Sequence, residues 1–255
     1  MRLAFVGKGG AGKSLVAGTL ARVLARRGHK VLALDSDTLP GLAYSLGAEI
    51  PATPPLLAAA ERGEDQRWRF VSGVGPVRAV QRFSTRAPDG VRLLQGGKSG
   101  KDGLWPQMAA TQAFNMTIHA LDRTRTFEDW VVLGDLSAGP RQPAFDWAPY
   151  ARRLLLVVEP TRQSMMTARR VRRIAAQTRP GVAFSLVANK ASQPGDAAEI
   201  GAFLDLPVVA AVPADDDVRA SERLGLALID HAPDSPALHA IERLADALET
   251  GTVNP

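Results

Sequence analysis

The segment Gly7-Lys8-Gly9-Gly10-Ala11-Gly12-Lys13-Ser14 constrains the fold more than any other part of the chain, because it satisfies G-x-x-x-x-G-K-[ST] between an apolar strand pattern and a helical one. Residues 3–6 read as the strand, 7–12 as the loop, and the stretch from Lys13 to about Arg27 as a helix closed by Gly28. In such a loop the glycines let backbone N–H groups converge on phosphates at a helix N-terminus. Lys13 neutralises the β and γ phosphates, and Ser14 ligates Mg²⁺. Gly7, Gly9, Gly10, Ala11, Gly12, Lys13 and Ser14 are therefore candidate nucleotide-binding residues. The similar run Gly96-Gly97-Lys98-Ser99-Gly100-Lys101 does not qualify, since Arg92 stands where the first glycine would have to be. It reads as a flexible surface loop.

Further short apolar, β-branched runs at 31–34, 91–94, 130–133, 154–158, 184–188 and 208–212 alternate with longer amphipathic stretches. That rhythm predicts a doubly wound α/β fold with a mostly parallel sheet of seven or eight strands, and the loop motif makes it one of the P-loop NTPase kind. Nucleotide would lie at the strands' C-terminal edge. Residues 50–90 break the rhythm: Pro51-Ala52-Thr53-Pro54-Pro55 opens the region, and 67–71 and 77–83 look like a hairpin. We read 1–255 as a single domain carrying an insertion at about 50–90, because the later strands need the first two to complete a sheet.

Composition narrows the options. No apolar run approaches the roughly 18 to 20 residues that span a bilayer, and the N-terminus is a strand carrying a motif, so a cytoplasmic, uncleaved chain with no membrane attachment is expected. The final helix, from Pro236 to about Leu248, lacks a basic face and should pack on the core. Lys and Arg together number 31 against 26 acidic residues, a formal charge of +5, and only six of the basic residues are Lys. Arg169, Arg170, Arg172 and Arg173 cluster on one helix, which suits an anionic partner or a solvated face. Nucleic acid is thus an open but not favoured partner. The absence of cysteine excludes disulfides, thiolate metal sites and iron–sulfur clusters, and the four histidines show no ligand spacing.

Lys8 adds a second lysine inside the loop, in the arrangement Lys8-Gly9-Gly10-x-Gly12-Lys13-Ser14. This deviant Walker A resembles the family that contains ParA and MinD ATPases, the nitrogenase iron protein, arsenite-pump and tail-anchored-protein-targeting ATPases, and carbon monoxide dehydrogenase maturation ATPases. The resemblance implies a nucleotide-sandwiched homodimer that hydrolyses ATP to ADP slowly and with partner stimulation. In it Lys8 would reach the other subunit's nucleotide, as an arginine finger does. It makes Asp37, in Leu34-Asp35-Ser36-Asp37-Thr38, the residue that orients attacking water, with Asp35 supporting the magnesium shell; either could instead cap the next segment. Trp130-Val131-Val132-Leu133-Gly134-Asp135 reads as a Walker B strand whose Asp135 holds Mg²⁺ through water, and Gly139 follows where a backbone N–H can sense the γ-phosphate. Gly134 stands where the family generally has an apolar residue or Asp. By the same resemblance Asn189 hydrogen-bonds the adenine edge with Lys190 beside it, and backbone groups around Pro213 and Asp215 flank the base. A turn-forming Asn and a helix-capping acidic cluster at 215–217 are the competing explanations.

Within the family, the spacing from Asn189-Lys190 to Pro213 and the stretch from Gly90 to Gly97 look most like the carbon monoxide dehydrogenase maturation (CooC-like) subgroup. That subgroup binds nickel at a Cys-x-Cys pair; this chain has Asp102-Gly103-Leu104-Trp105-Pro106 there, so the metal-carrying function does not transfer. The leading expectation is a switch that serves as a maturation or client-delivery ATPase for an unidentified partner enzyme. The alternative is a ParA/MinD-like partitioning or positioning ATPase using DNA or another surface as a track.

Overall fold

The computed structural model describes residues 1–37, 39, 41–96 and 104–251. The strands in chain order are β1 (Arg2–Gly7), β2 (Val31–Asp35), β3 (Ala60–Arg62), β4 (Trp68–Phe70), β5 (Thr85–Arg86), β6 (Arg92–Gln95), β7 (Val131–Asp135), β8 (Arg153–Val158), β9 (Ala183–Ala191) and β10 (Val208–Pro213). Eight of them form one sheet in the order β10-β9-β8-β1-β7-β2-β6-β5, parallel throughout except where β5 meets β6. The helices are α1 (Lys13–Arg26), α2 (Gly41–Leu46), α3 (Pro76–Phe83), α4 (Leu104–Ala120), α5 (Arg141–Ala144), α6 (Arg162–Thr178), α7 (Asp196–Leu204), α8 (Asp216–Leu224), α9 (Leu228–His231) and α10 (Pro236–Glu249).

Alternation along the strands builds two cores. Leu3, Phe5, Val31, Ala33, Leu155 and Val157 face α1 and α10, whereas Ala4, Val6, Leu32, Leu34, Leu154 and Leu156 face α4 and α6. Both faces of the central strands are therefore dry, which is why those strands read as unbroken apolar runs. The expected doubly wound sheet is what forms, with all seven expected strands in it and β5 as an eighth at the edge. The last helix buries Leu238, Ile241 and Leu244 against the first core.

The hairpin expectation fails at its second half. Residues 76–83 are helix α3, not a strand: Pro76 sits at the first helical position after the extended Gly75, and Ala79, Val80 and Phe83 turn inward together. Strand β4 instead pairs antiparallel with β3, Ala60 opposite Phe70. Burial against α4 and its neighbours decided the conformation here over the β-propensity of Val77 and Val80. The surface loop expected beyond Gly96, and Asp102 and Gly103 of the stretch compared with the Cys-x-Cys pair, lie outside the described residues. Among the described residues, no helix is long and apolar enough to cross a membrane.

Candidate active site

Parallel pairing sets the C-terminal ends of β1, β2, β7 and β8 side by side, so the loop after β1 opens beside the carboxylates that end β2 and β7. Asp35 stands opposite Asp135 in the register. Helix α1 starts at Gly12, whose φ of 89° is the left-handed conformation that glycine adopts without strain, and no side chain caps it. A Cβ at Gly12 would also collide with the Asn189 amide. The first N–H groups of α1 are thus left for an anion. Buried Lys13 curls back so that its ammonium donates to the Lys8 carbonyl at 3.3 Å.

The Ser14 hydroxyl donates to Asp135 Oδ2 at 2.5 Å, while Asp135 Oδ1 and Asp35 Oδ2 are buried with no protein partner. Two carboxylate oxygens without donors, beside a serine hydroxyl, suit a hard divalent cation such as Mg²⁺. Burial drives the Asp35 carboxyl well above its ordinary range, reinforced by the Asp135 charge. Burial likewise raises Asp135 to about 6, despite opposition from the Ser14 hydrogen bond and Lys13.

This has a measurable consequence without metal. A pKa higher in the folded than in the unfolded chain gives stability that is present below about pH 4 and lost as pH rises through about 6. In EDTA, the thermal stability of the chain should therefore fall between pH 4 and 7 relative to that of Asp135→Asn, and added Mg²⁺ should remove the difference. Parallel pH curves for the two proteins would contradict the assignment.

Two adjoining recesses meet at Gly10, Gly12, Leu15 and Glu222. One is lined by the phosphate loop with Ser14, Asp37 and Tyr44, the other by Asn189, Val212, Pro213 and Val218. Asp37 holds the loop after β2 in shape: its N–H donates to Asp35 Oδ1 and its own Oδ1 accepts from the Leu39 N–H.

Each of the other candidates also has partners within the protein. The Asn189 amide donates to the Ala11 carbonyl at 2.7 Å, bracing the loop from the base side. Lys190, at a φ of 58°, lines the second recess and points its ammonium at the Gly10 carbonyl and Glu159. The Gly139 N–H donates to the Gly7 carbonyl at 3.0 Å and so is not directed at a phosphate. Asp215 lines the second recess, and its carboxylate caps α8 through the Asp217 N–H and accepts from the Ser235 hydroxyl and the Ala237 N–H. That carboxylate is a clip between α8 and α10, as the helix-cap explanation had it.

Sequence reading overlooked Glu159 and Gln142. Glu159 follows β8, on the same sheet edge as Asp35 and Asp135, and accepts from Lys8 at 3.5 Å and Lys190 at 2.8 Å. Its strand-end position is a signal that could have found it. Gln142, on four-residue α5, has none. The unusual Gly134 is explained by Tyr150, whose ring occupies the space a Cβ at 134 would need.

Comparison with known proteins agrees with this geometry. Residues 3–229 match the model of the CobQ/CobB/MinD/ParA nucleotide binding domain. An ATP-binding protein of Methanocaldococcus jannaschii is 28% identical over 257 residues, covering 96% of each chain. The carbon monoxide dehydrogenase accessory protein CooC of Rhodospirillum rubrum is 27% identical over 251 residues, 91% of each chain. Among solved structures, the septum site-determining protein MinD of Pyrococcus horikoshii, complexed with Mg-ADP, superposes with a TM-score of 0.73 at 20% identity, covering 98% of this chain and 96% of that one. The chain belongs to the CobQ/CobB/MinD/ParA nucleotide-binding family and is a P-loop ATPase.

Proposed function

We propose that the chain is a molecular switch in which ATP closes a homodimer, hydrolysis reopens it, and a partner enzyme complex under maturation reads the difference. The observation that carries this is the division of labour between the two loop lysines. Lys13 is buried beneath the loop, whereas Lys8 is part-exposed and engages Glu159, leaving it free to serve a second protomer. Similarity to a carbon monoxide dehydrogenase accessory protein over nearly the whole chain supports the maturation role. With no cysteine, cargo of the nickel-thiolate kind is not part of the proposal.

In this reading Ser14 and Asp135 would hold Mg²⁺ with support from Asp35, and the bound ion would supply charge neutralisation at the phosphate oxygens. Asp37 orients the attacking water. The Asn189 and Pro213 walls take the base, and the Gly139 N–H reaches the γ-phosphate after leaving Gly7. The chain acts as one domain, with the β3–β4 ribbon and α3 as its insertion. A DNA-track role has weaker support: Arg169 stacks on Phe203 with its guanidinium 4.9 Å from the ring centroid, and Arg172 donates to the Leu204 carbonyl, so half of the basic cluster already has partners.

Asp37→Ala should bind ATP, fail to hydrolyse it and elute as a dimer on size exclusion, while the same protein with ADP elutes as a monomer. Incubated in native extract, that trapped dimer should retain an enzyme subunit that the ADP form does not. Identical elution with both nucleotides would refute the switch, and retention of DNA alone would favour the track.

A further inference from the structure

Gln142 lies outside both recesses, yet its side-chain amide joins the two loops that shape them. Its Oε1 accepts from the Ser36 hydroxyl at 2.6 Å and from the Ser137 N–H at 2.8 Å, and its Nε2 donates to the Ser36 carbonyl at 2.9 Å. Ser36 is the residue between Asp35 and Asp37, and Ser137 lies midway between Asp135 and Gly139. The Ser36 hydroxyl also approaches the Asp135 carbonyl at 2.8 Å, and the Ser36 N–H donates to the same carbonyl at 3.1 Å. The loop ends of β2 and β7 are thereby closed into one hydrogen-bonded unit, in which the Gln142 side chain adds three hydrogen bonds to the direct contacts of Ser36 with the Asp135 carbonyl and of the Ser137 hydroxyl with the Ser36 carbonyl.

An amide is the group this junction requires. The oxygen meets two donors and the nitrogen meets a carbonyl, so each polar atom has the partner its chemistry demands. A carboxylate of the same shape would set an oxygen against the Ser36 carbonyl and repel it. An aliphatic side chain would leave the Ser137 N–H without its acceptor.

We propose that Gln142 is a positioning residue for ATP hydrolysis: it locks the loop carrying Asp37 to the loop carrying Asp135 and Gly139, so that the two move as one body between nucleotide states. This rests on the roles given above to Asp37 and Asp135, and it adds the coupling element between them. Misplacing a water-orienting carboxylate by about 1 Å can cost on the order of 100-fold in rate. Ground-state nucleotide binding should change little, because Gln142 itself lines neither recess.

The test uses the full chain with Mg-ATP and compares Gln142→Glu, Gln142→Ala, Asp37→Ala and the double variant Asp37→Ala/Gln142→Glu. Single-turnover rate, ATP Kd by titration and Tm are read for each. The expected result is a fall of about 10- to 100-fold in rate for both Gln142 variants, with Kd within about threefold and Tm within a few degrees. The double variant should be no slower than Asp37→Ala alone, since a positioning effect vanishes with the group positioned. If Gln142→Glu turns over normally while Asp37→Ala is inactive, the coupling is wrong and the site reading stands. If rate, Kd and Tm all collapse together, Gln142 is merely structural and the proposal falls. Normal turnover by Asp37→Ala would overturn the site reading, and this inference with it.

Discussion

Lys8→Ala should bind Mg-ATP about as tightly as the parent chain and hydrolyse it roughly 10³- to 10⁵-fold more slowly, the range found for cations delivered in trans to a phosphoryl-transfer site. The geometry separates the two quantities. The Lys8 ammonium contacts Glu159 at 3.5 Å, and its side chain is 29% exposed, so its removal takes little from the protomer's own phosphate recess. Lys13, buried and turned onto the loop, is the cation that recess keeps, and Lys13→Ala should abolish binding itself. Calorimetry and single-turnover hydrolysis read the two effects apart. Mixing Lys8→Ala with Asp37→Ala sharpens the result, because in a mixed dimer one site has both an intact Asp37 and a Lys8 supplied by the partner. Partial recovery of turnover on mixing is expected. A Lys8→Ala chain that hydrolyses at the parent rate would remove the trans mechanism.

The second large effect lies away from the nucleotide. Arg22→Ala should cost on the order of 2 to 3 kcal/mol of folding stability, from the cavity a buried side chain leaves and the hydrogen bonds it gives up, since the carboxylates left behind are part-exposed. The Arg22 side chain is 2% exposed in the middle of α1. Its guanidinium forks onto both oxygens of Asp230 at 2.9 Å, donates to the Leu46 carbonyl at 2.9 Å and pairs with Asp89. Truncation would leave a cavity beneath α1, an unpaired Leu46 carbonyl and two carboxylates held near each other without their principal counter-charge. Arg26 also reaches Asp89 and Asp230 but is 45% exposed, so Arg26→Ala should cost under about 1 kcal/mol. Urea unfolding of the two variants measures the contrast. A cost for Arg22→Ala no larger than that for Arg26→Ala would show that the cluster is not a structural core.

The central sheet was legible because strands buried on both faces leave continuous apolar runs, and because Asp35 and Asp135 end two of those runs where ligands bind in this architecture. The phosphate loop was legible for a different reason: its glycines answer to backbone geometry rather than to packing. Helix α3 was not, since Val77 and Val80 carry β-propensity that only its packing against a helix overrode. Likewise, Asp215 shows the right residue at the right spacing, while only contacts 20 and 22 positions away reveal what its carboxylate binds. Gln142 and Tyr150 were invisible because their partners are loops and strands distant in sequence and their types carry no motif.

Glu159 holds two ammonium groups at unequal distances, Lys190 at 2.8 Å and Lys8 at 3.5 Å, and Lys190 is anchored a second time on the Gly10 carbonyl. If Lys8 departs, Glu159 therefore keeps a counter-ion, and the strap across the loop at Gly10 stays tied. The contact given up is a long, part-exposed ion pair worth about 1 kcal/mol or less. Lys8 is thus a parked charge rather than a locked one. In the proposed dimer, the energy that moves it to another subunit would then come from what arrives there, and the loop it leaves behind would not need to re-form before the next round.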